Sequence, residues 1–244
     1  MSILEVREVS VRFGGHMAVD RVDLDVEPAT ITGLIGPNGA GKTTIFNVIT
    51  GLQAPTHGRV ILDGDDITKA PAHKRARAGI ARTFQRLELF GTLSVFDNVR
   101  TAAELRRSDD RSPDEATEAI LEEVGLADLA SARADSLSTG NARLVELARA
   151  LACRPRVLLL DEPASGLDES ETAPFADTLR RLAAGGLAIL LVEHDVPLVM
   201  SLCSTITVLN FGTVLAKGTP DEIRADAAVV EAYLGQSAEV GGAV

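Results

Sequence analysis

The chain opens with two stretches in which apolar and charged residues alternate, ILEVREVSVRF from Ile3 and AVDRVDLDV from Ala18. A period of two puts every second side chain on one face, so both predict half-exposed strands of an N-terminal antiparallel β-subdomain. TITGLI (Thr30 to Ile35) predicts a short strand running into a Gly-rich turn. In GKTTIFNVIT the spacing switches: Ile45, Phe46, Val48 and Ile49 fall on one helical face, and Gly51 ends the helix. GRVILDGDDI reads as another strand and turn. From about residue 93 to 150 the pattern is helical and rich in Ala, Glu and Arg, divided by the polar break RRSDDRSPDE. This predicts a helical subdomain inserted in the core. VLLL (Val157 to Leu160) and AILLV (Ala188 to Val192) are aliphatic throughout, with a helical pattern from Glu171 to Ala184 between them. Fully apolar strands alternating with helices imply a mainly parallel sheet covered on both faces. Thr219-Pro220-Asp221-Glu222 is a capping box with Pro at the first helical position. One short helix is expected from there to Gly235, then a disordered tail over 236–244.

Composition narrows the picture. The chain has 244 residues, 45% of them hydrophobic and only 3% aromatic, with no Trp, so its core must be aliphatic. The formal net charge of -11 argues against a general grip on nucleic acid, whose phosphates need Lys and Arg. Cys153 and Cys203 lie in apolar stretches without a CxxC partner and read as buried small hydrophobes. No apolar run approaches the ~18 residues of a membrane span. The charged N-terminus lacks a signal peptide's apolar core. Together these predict an intracellular chain; any membrane span belongs to another subunit.

The chemistry begins at GPNGAGKT. Gly36, Pro37, Asn38, Gly39, Ala40, Gly41, Lys42 and Thr43 fit G-x-x-x-x-G-K-[ST], the phosphate-binding loop of P-loop NTPases. Glycines let backbone N–H groups turn inward around phosphate oxygens, and the following helix adds its positive end. Lys42 is expected at the β- and γ-phosphates of ATP, and the Thr43 hydroxyl on Mg²⁺. Thr44 continues the loop's nucleotide contact. VLLLDEP then ends a buried strand in two carboxylates. Asp161 is the expected Mg²⁺ group, and Glu162 the group that orients or deprotonates the attacking water. His194 follows AILLVE, at the carboxyl end of an expected parallel strand, where ligands of open α/β sheets bind. His16, His57 and His73 lie in turn-like or charged surroundings and are not expected to take part.

These motifs resemble, in order, those of the ATP-binding subunits of ABC transporters, and the resemblance covers nearly everything from Ile3 to Gly235. Gly36 to Thr43 resembles the Walker A loop, and Val157 to Glu162 resembles Walker B. Gln85, in ARTFQ, matches the Q-loop glutamine, which implies a place at the metal and in catalysis. SGLD (Ser165 to Asp168) matches the D-loop, and His194 the switch histidine. Phe13 falls where the family has an aromatic that stacks on adenine. DSLSTGNARLVELARAL, from Asp135, occupies the place of the signature. The resemblance implies that two such subunits sandwich the nucleotides, with Ser138 and Gly140 reaching the γ-phosphate held by the other. Asp168 joins them at that site. Asn141 and Ala142 replace the usual polar pair of the signature, which should weaken it by one or two ordinary hydrogen bonds of ~1 kcal/mol each.

RFGGHMAVDRVDLDV, GIARTFQRLELFGTLSVFDNV and the stretch from Glu193 to Gly235 resemble one group in particular, the ATPase subunits of branched-chain amino acid uptake systems. Those pair two ATPase subunits with two permeases and a solute-binding protein. The implied partners are therefore transmembrane permease subunits and a second ATPase subunit (homodimer or heterodimer), with the solute-binding protein engaged indirectly and no nucleic acid. The implied location is the cytoplasmic face of the membrane. Another cargo, such as urea, amides or exported lipopolysaccharide, is the alternative. A soluble non-transport ATPase of this build would need tandem cassettes, a long coiled-coil insert or a basic face. The chain departs from the group at Ala29, where many members have Gly, at Asp168, more often Asn, and in a short helical subdomain. Leu87, Leu89 and Phe90, just after Gln85, are expected either at the permease contact or in the seam between core and helical subdomain.

Overall fold

The computed structural model describes residues 1–105 and 111–234; the first half of the polar break and the expected tail lie outside the described residues. The alternating segments become β1 (Leu4–Phe13) and β2 (His16–Val26), paired antiparallel. Their inward residues, among them Leu4, Val6, Val22 and Leu24, are fully buried, while charged neighbours such as Arg7 and Asp25 pair along the solvent side. The turn that follows places Ala29 at φ 60°. A side chain there costs about 1–2 kcal/mol, whereas glycine adopts the conformation freely. That accounts for glycine as the usual residue of the resembled family at this position.

β3 (Ile31–Ile35) leads into α1 (Lys42–Thr50), after which β4 (His57–Leu62) and β5 (Asp65–Asp66) complete a four-stranded sheet in the order β2-β1-β4-β5. α2 (Ala72–Ala78) carries Arg75, a buried guanidinium whose hydrogen bonds among the described residues all go to backbone carbonyls. It donates to the Val48, Ile49, Thr68 and Ala70 carbonyls at 2.6–2.9 Å. Val48 and Ile49 are among the last carbonyls of α1, where the helix runs out of its own donors; Val48 O also accepts from the Gly51 N–H. Arg75 thus anchors the far end of the helix that begins at the phosphate loop.

β6 (Ile80–Arg82) is an edge strand of the second sheet. Three helices follow, α3 (Val95–Glu104), α4 (Pro113–Val124) and α5 (Thr139–Ala152). They share an aliphatic cluster of their own, including Val95, Val99, Leu121, Val124, Val145 and Ala148. The chain then returns through β7 (Val157–Asp161), α6 (Glu169–Ala184), β8 (Ala188–Val192), α7 (Val196–Leu202), β9 (Thr205–Asn210) and β10 (Thr213–Gly218). The second sheet runs β10-β9-β3-β8-β7-β6, parallel except at β9/β10. Both faces are covered. Val157 and Leu159 point to the cluster shared with α1 and the first sheet; Leu158 and Leu160 point to α5, α6 and α7. This explains why VLLL has no polar alternation.

α8 (Pro220–Ala225) has the expected capping box at Thr219. One continuous helix towards Gly235 does not form. Asp226 leaves helical geometry at φ -73°, ψ 116°, and its carboxylate accepts from the Ala228 and Val229 N–H groups, starting a separate short turn. Cys203 is buried, which pushes its thiol up to about 12. Cys153 is only half-buried, unlike the expectation for both.

Candidate functional site

The parallel strands β3, β7 and β8 end on one side of the sheet, and each hands over there to a segment singled out from the sequence. After β3, Gly36 turns at φ 148°; a Cβ there would fall 2.1 Å from the Leu209 carbonyl oxygen, so only glycine fits. Gly41 precedes α1 with no side-chain cap, and the helix has no acidic residue in its first turn. The N–H groups at this start therefore keep their positive end for an incoming anion. Lys42 is 8% exposed, and burial lowers its pKa, partly offset by Glu162 and Asp161. Its ammonium folds back onto its own loop, donating to the Gly36 and Pro37 carbonyls at 2.6 and 3.0 Å. Thr43 is exposed at the first turn.

At the end of β7, Asp161 and Glu162 part company. Glu162 sits at φ 50°, an unfavourable region for a residue with a side chain, held there by its N–H donating to Val192 O at 2.8 Å. Both its carboxylate oxygens are engaged: Gln85 Nε2 donates to Oε2 at 2.5 Å, and His194 Nε2 lies 2.6 Å from Oε1. The three expected catalytic residues thus meet at one carboxylate, although they come from three segments. Asp161 instead pairs through Oδ2 with Arg82, at 2.8 Å.

The signature start lies on α5. Ser138 is its N-cap, its side chain accepting from the Asn141 N–H. The Gly140 N–H donates to Glu171 Oε1 at 3.0 Å. Ala142 is buried at 8% exposure, so the substitution that removes a polar group also places a small residue in a tight position. Asp168, expected at the nucleotide, is here the N-cap of α6, accepting from the Glu171 N–H and the Ser170 hydroxyl. Those hydrogen bonds hold its carboxyl below the usual range. Phe13 is half exposed at the tip of the β1/β2 hairpin, so it is not a core residue.

Several positioning residues had no individual signal in the sequence. Glu193, 3% exposed, accepts from the Ala164 and His194 N–H groups, tying the loop after Glu162 to the histidine; burial pushes its carboxyl up. Arg143 pairs with Glu146 and donates to the Gln85 and Ser165 carbonyls, joining α5 to the loops that carry Gln85 and Asp168. A groove of about 820 Å³ opens between β6 and the helical subdomain, lined in part by Leu52, Phe84, Leu89, Phe90, Arg149 and Cys153. Leu89 also packs on the helical cluster, so it serves the seam, whereas Phe90 is half exposed and stacks under Arg149.

For Mg²⁺ the donor set fits a metal that brings most of its own oxygens. Among the described residues no group of three or more His, Cys, Asp or Glu could hold an ion. A hydroxyl at Thr43 and one carboxylate at Asp161 are the hard oxygen ligands Mg²⁺ takes alongside phosphates and water.

The ABC transporter family model matches residues 19–165, and that of the branched-chain amino acid ATP-binding cassette transporters matches residues 213–239. The high-affinity branched-chain amino acid transport ATP-binding protein BraF of Pseudomonas aeruginosa is 42% identical over 96% of this chain and 98% of its own length. LivG of Escherichia coli, with the same description, is 39% identical over 96% and 98%. The lipopolysaccharide export ATP-binding protein LptB of Escherichia coli is 37% identical over 97% and 98%. A nucleotide-free ATP-binding cassette of an ABC transporter superposes with a TM-score of 0.86 at 30% identity, covering 96% of this chain and 99% of that one. An ADP-bound cassette gives 0.87 at 30% identity with the same coverage.

Proposed function

Because the chain belongs to the ABC transporter ATP-binding family, and within it to the branched-chain amino acid group, we propose that it is the ATP-hydrolysing subunit of an importer of branched-chain or related amino acids. The observation that carries the chemistry is the meeting of Gln85, Glu162 and His194 next to an uncapped phosphate loop. The backbone from Gly36 to Thr44 wraps the phosphates, and Phe13 stacks on adenine. Lys42 leaves the Gly36 and Pro37 carbonyls for the β- and γ-phosphates, whose charge offsets its burial. The Thr43 hydroxyl, Asp161 and Gln85 are the chain's groups that would hold Mg²⁺, which when bound would offset the charge of the phosphates. Glu162 orients the attacking water and takes its proton as the bond from the γ-phosphorus to the ADP oxygen breaks. Gln85 and His194 hold its two oxygens until then. Ser138, Gly140 and Asp168 serve the nucleotide of a second subunit, identical or homologous.

No helix among the described residues is long and apolar enough to cross a membrane; in the proposed importer, separate permease subunits supply the span. Such a permease would hold this chain at the cytoplasmic face, with the solute-binding protein acting through it. The apolar groove between β6 and the helical subdomain, with Phe84 and Phe90 half exposed, is where a permease segment would seat. The similarity to LptB favours lipopolysaccharide export as a second reading, since cargo is selected by other chains.

Two variants test this. Glu162→Gln should bind ATP normally, accumulate as an ATP-bound dimer and lose about 10²–10⁴-fold in hydrolysis. Near-wild-type turnover would exclude Glu162 as the base. In cells, the same variant should stop leucine uptake; retained uptake would favour the export reading. Phe90→Asp should bind ATP and dimerise but no longer copurify with its permease, and intact copurification would move the contact elsewhere.

A further inference from the structure

Arg82 is the last residue of β6, and its side chain is 8% exposed. Its guanidinium forks. One arm donates to Asn47 Oδ1 on α1 at 2.7 Å, and the other to Asp161 Oδ2 at the end of β7 at 2.8 Å. The Phe46 and Phe84 rings lie 5.3 and 5.2 Å from its centre. The plane is therefore confined by stacking as well as by hydrogen bonds, and only a planar group with two donor arms fills this role. Asn47 lies one turn beyond Thr43 on the same helix. The fork thus joins the helix that carries the Thr43 hydroxyl to the strand that carries the Asp161 carboxylate.

We propose that Arg82 is a positioning residue for Mg²⁺ binding: it clamps Asp161 to α1 and so sets the spacing between the two oxygen groups offered to the metal. This rests on the reading of Thr43 and Asp161 as metal groups. Arg82 takes Oδ2 of Asp161, so the carboxylate has one fixed orientation. Loss of a group that orients a metal ligand typically costs about 10–100-fold in metal affinity or activity. Nucleotide held by the phosphate loop without metal does not depend on the clamp.

The test is binding of a fluorescent ATP analogue to the full chain, in EDTA and across a Mg²⁺ titration. Arg82→Gln should bind the analogue in EDTA within about twofold of wild type, while half-saturation by Mg²⁺ moves up by roughly 10-fold or more. Arg82→Lys keeps the charge but not the fork and should fall between the two. Asn47→Ala cuts one arm, leaves the ion pair and should show a smaller shift in the same direction; it also carries the test if Arg82→Gln does not fold. A folded Arg82→Gln with an unchanged or lower Mg²⁺ requirement would overturn the proposal. So would a parallel loss of affinity in EDTA, which marks a merely structural role. Asp161→Asn separates the layers: if it leaves the Mg²⁺ dependence intact, the metal reading of Asp161 fails, independently of the clamp.

Discussion

Two helices of this chain begin where a phosphate is expected, and they begin differently. α1 starts after Gly41 with no side-chain cap and no acid in its first turn. α5 starts at Ser138 with its early N–H groups already used, Asn141 by the Ser138 side chain and Gly140 by the Glu171 carboxylate. A helix start normally satisfies its unpaired N–H groups with caps or water, because bare donors are costly once buried. At α1 no side chain caps them, and the nearby Lys42 is turned onto carbonyls of its own loop. An anion can take those donors without displacing a side chain. α5 is satisfied within its own chain, and a partner's nucleotide must displace something to reach it.

The largest effect should come from the open start. Lys42→Ala removes a charge-assisted contact worth about 1.5–3 kcal/mol to phosphate, so ATP affinity should fall about 10- to 100-fold in an isothermal titration. If affinity stays at the wild-type value, the lysine's present contacts with Gly36 and Pro37 are its final ones, and the contrast with α5 disappears. At the other helix the same measurement should show nothing. Ser138→Arg leaves monomer ATP binding intact but overfills the partner side; at about 1–3 kcal/mol for overpacking, dimer-dependent hydrolysis should drop around tenfold or more. Loss of ATP binding by the Ser138→Arg monomer would place both helix starts at one nucleotide within a single chain.

The open start was legible in the sequence, and the filled one only half so. Gly36 to Thr43 must be contiguous to wrap a phosphate, so the spacing itself carries the chemistry. VLLL and AILLV were readable as strands covered on both faces because their apolar runs have no polar gaps. The groups that hold the machinery in place are another matter. Arg82 reaches Asn47 and Asp161 across 35 and 79 residues, and Glu171 reaches Gly140 across 31. A lone Arg or Glu in a helical or strand pattern looks like a solvated charge until the fold supplies its partner. The same holds for Arg75 and Glu193, which are buried although their residue types predict the surface. The final helix failed for a local reason: Asp226 caps a new turn better than it continues an old one.

The smallest effect is the most informative about α5. Asp168 and Glu171 have the spacing of a capping box, in which Glu171 would reach back to the Asp168 N–H. Its carboxylate goes instead to the Gly140 N–H of a different helix, and it comes close because a Cβ at Gly140 would fall 2.8 Å from Glu171 Cδ. A carboxylate on that amide takes up the donor that a phosphate oxygen would use. Glu171→Ala frees it. With one hydrogen bond of about 1 kcal/mol no longer to be broken, the ATP-dependent dimer should form about fivefold more readily, read by sedimentation in the Glu162→Gln background. Glu171→Gln should fall between, since its amide oxygen is a weaker acceptor than a carboxylate. The opposite sign is the sharp alternative. If Glu171 serves to brace the start of α5, its removal will lower the melting temperature and weaken the dimer together, and the filled start will prove to be architecture rather than a contact to be exchanged.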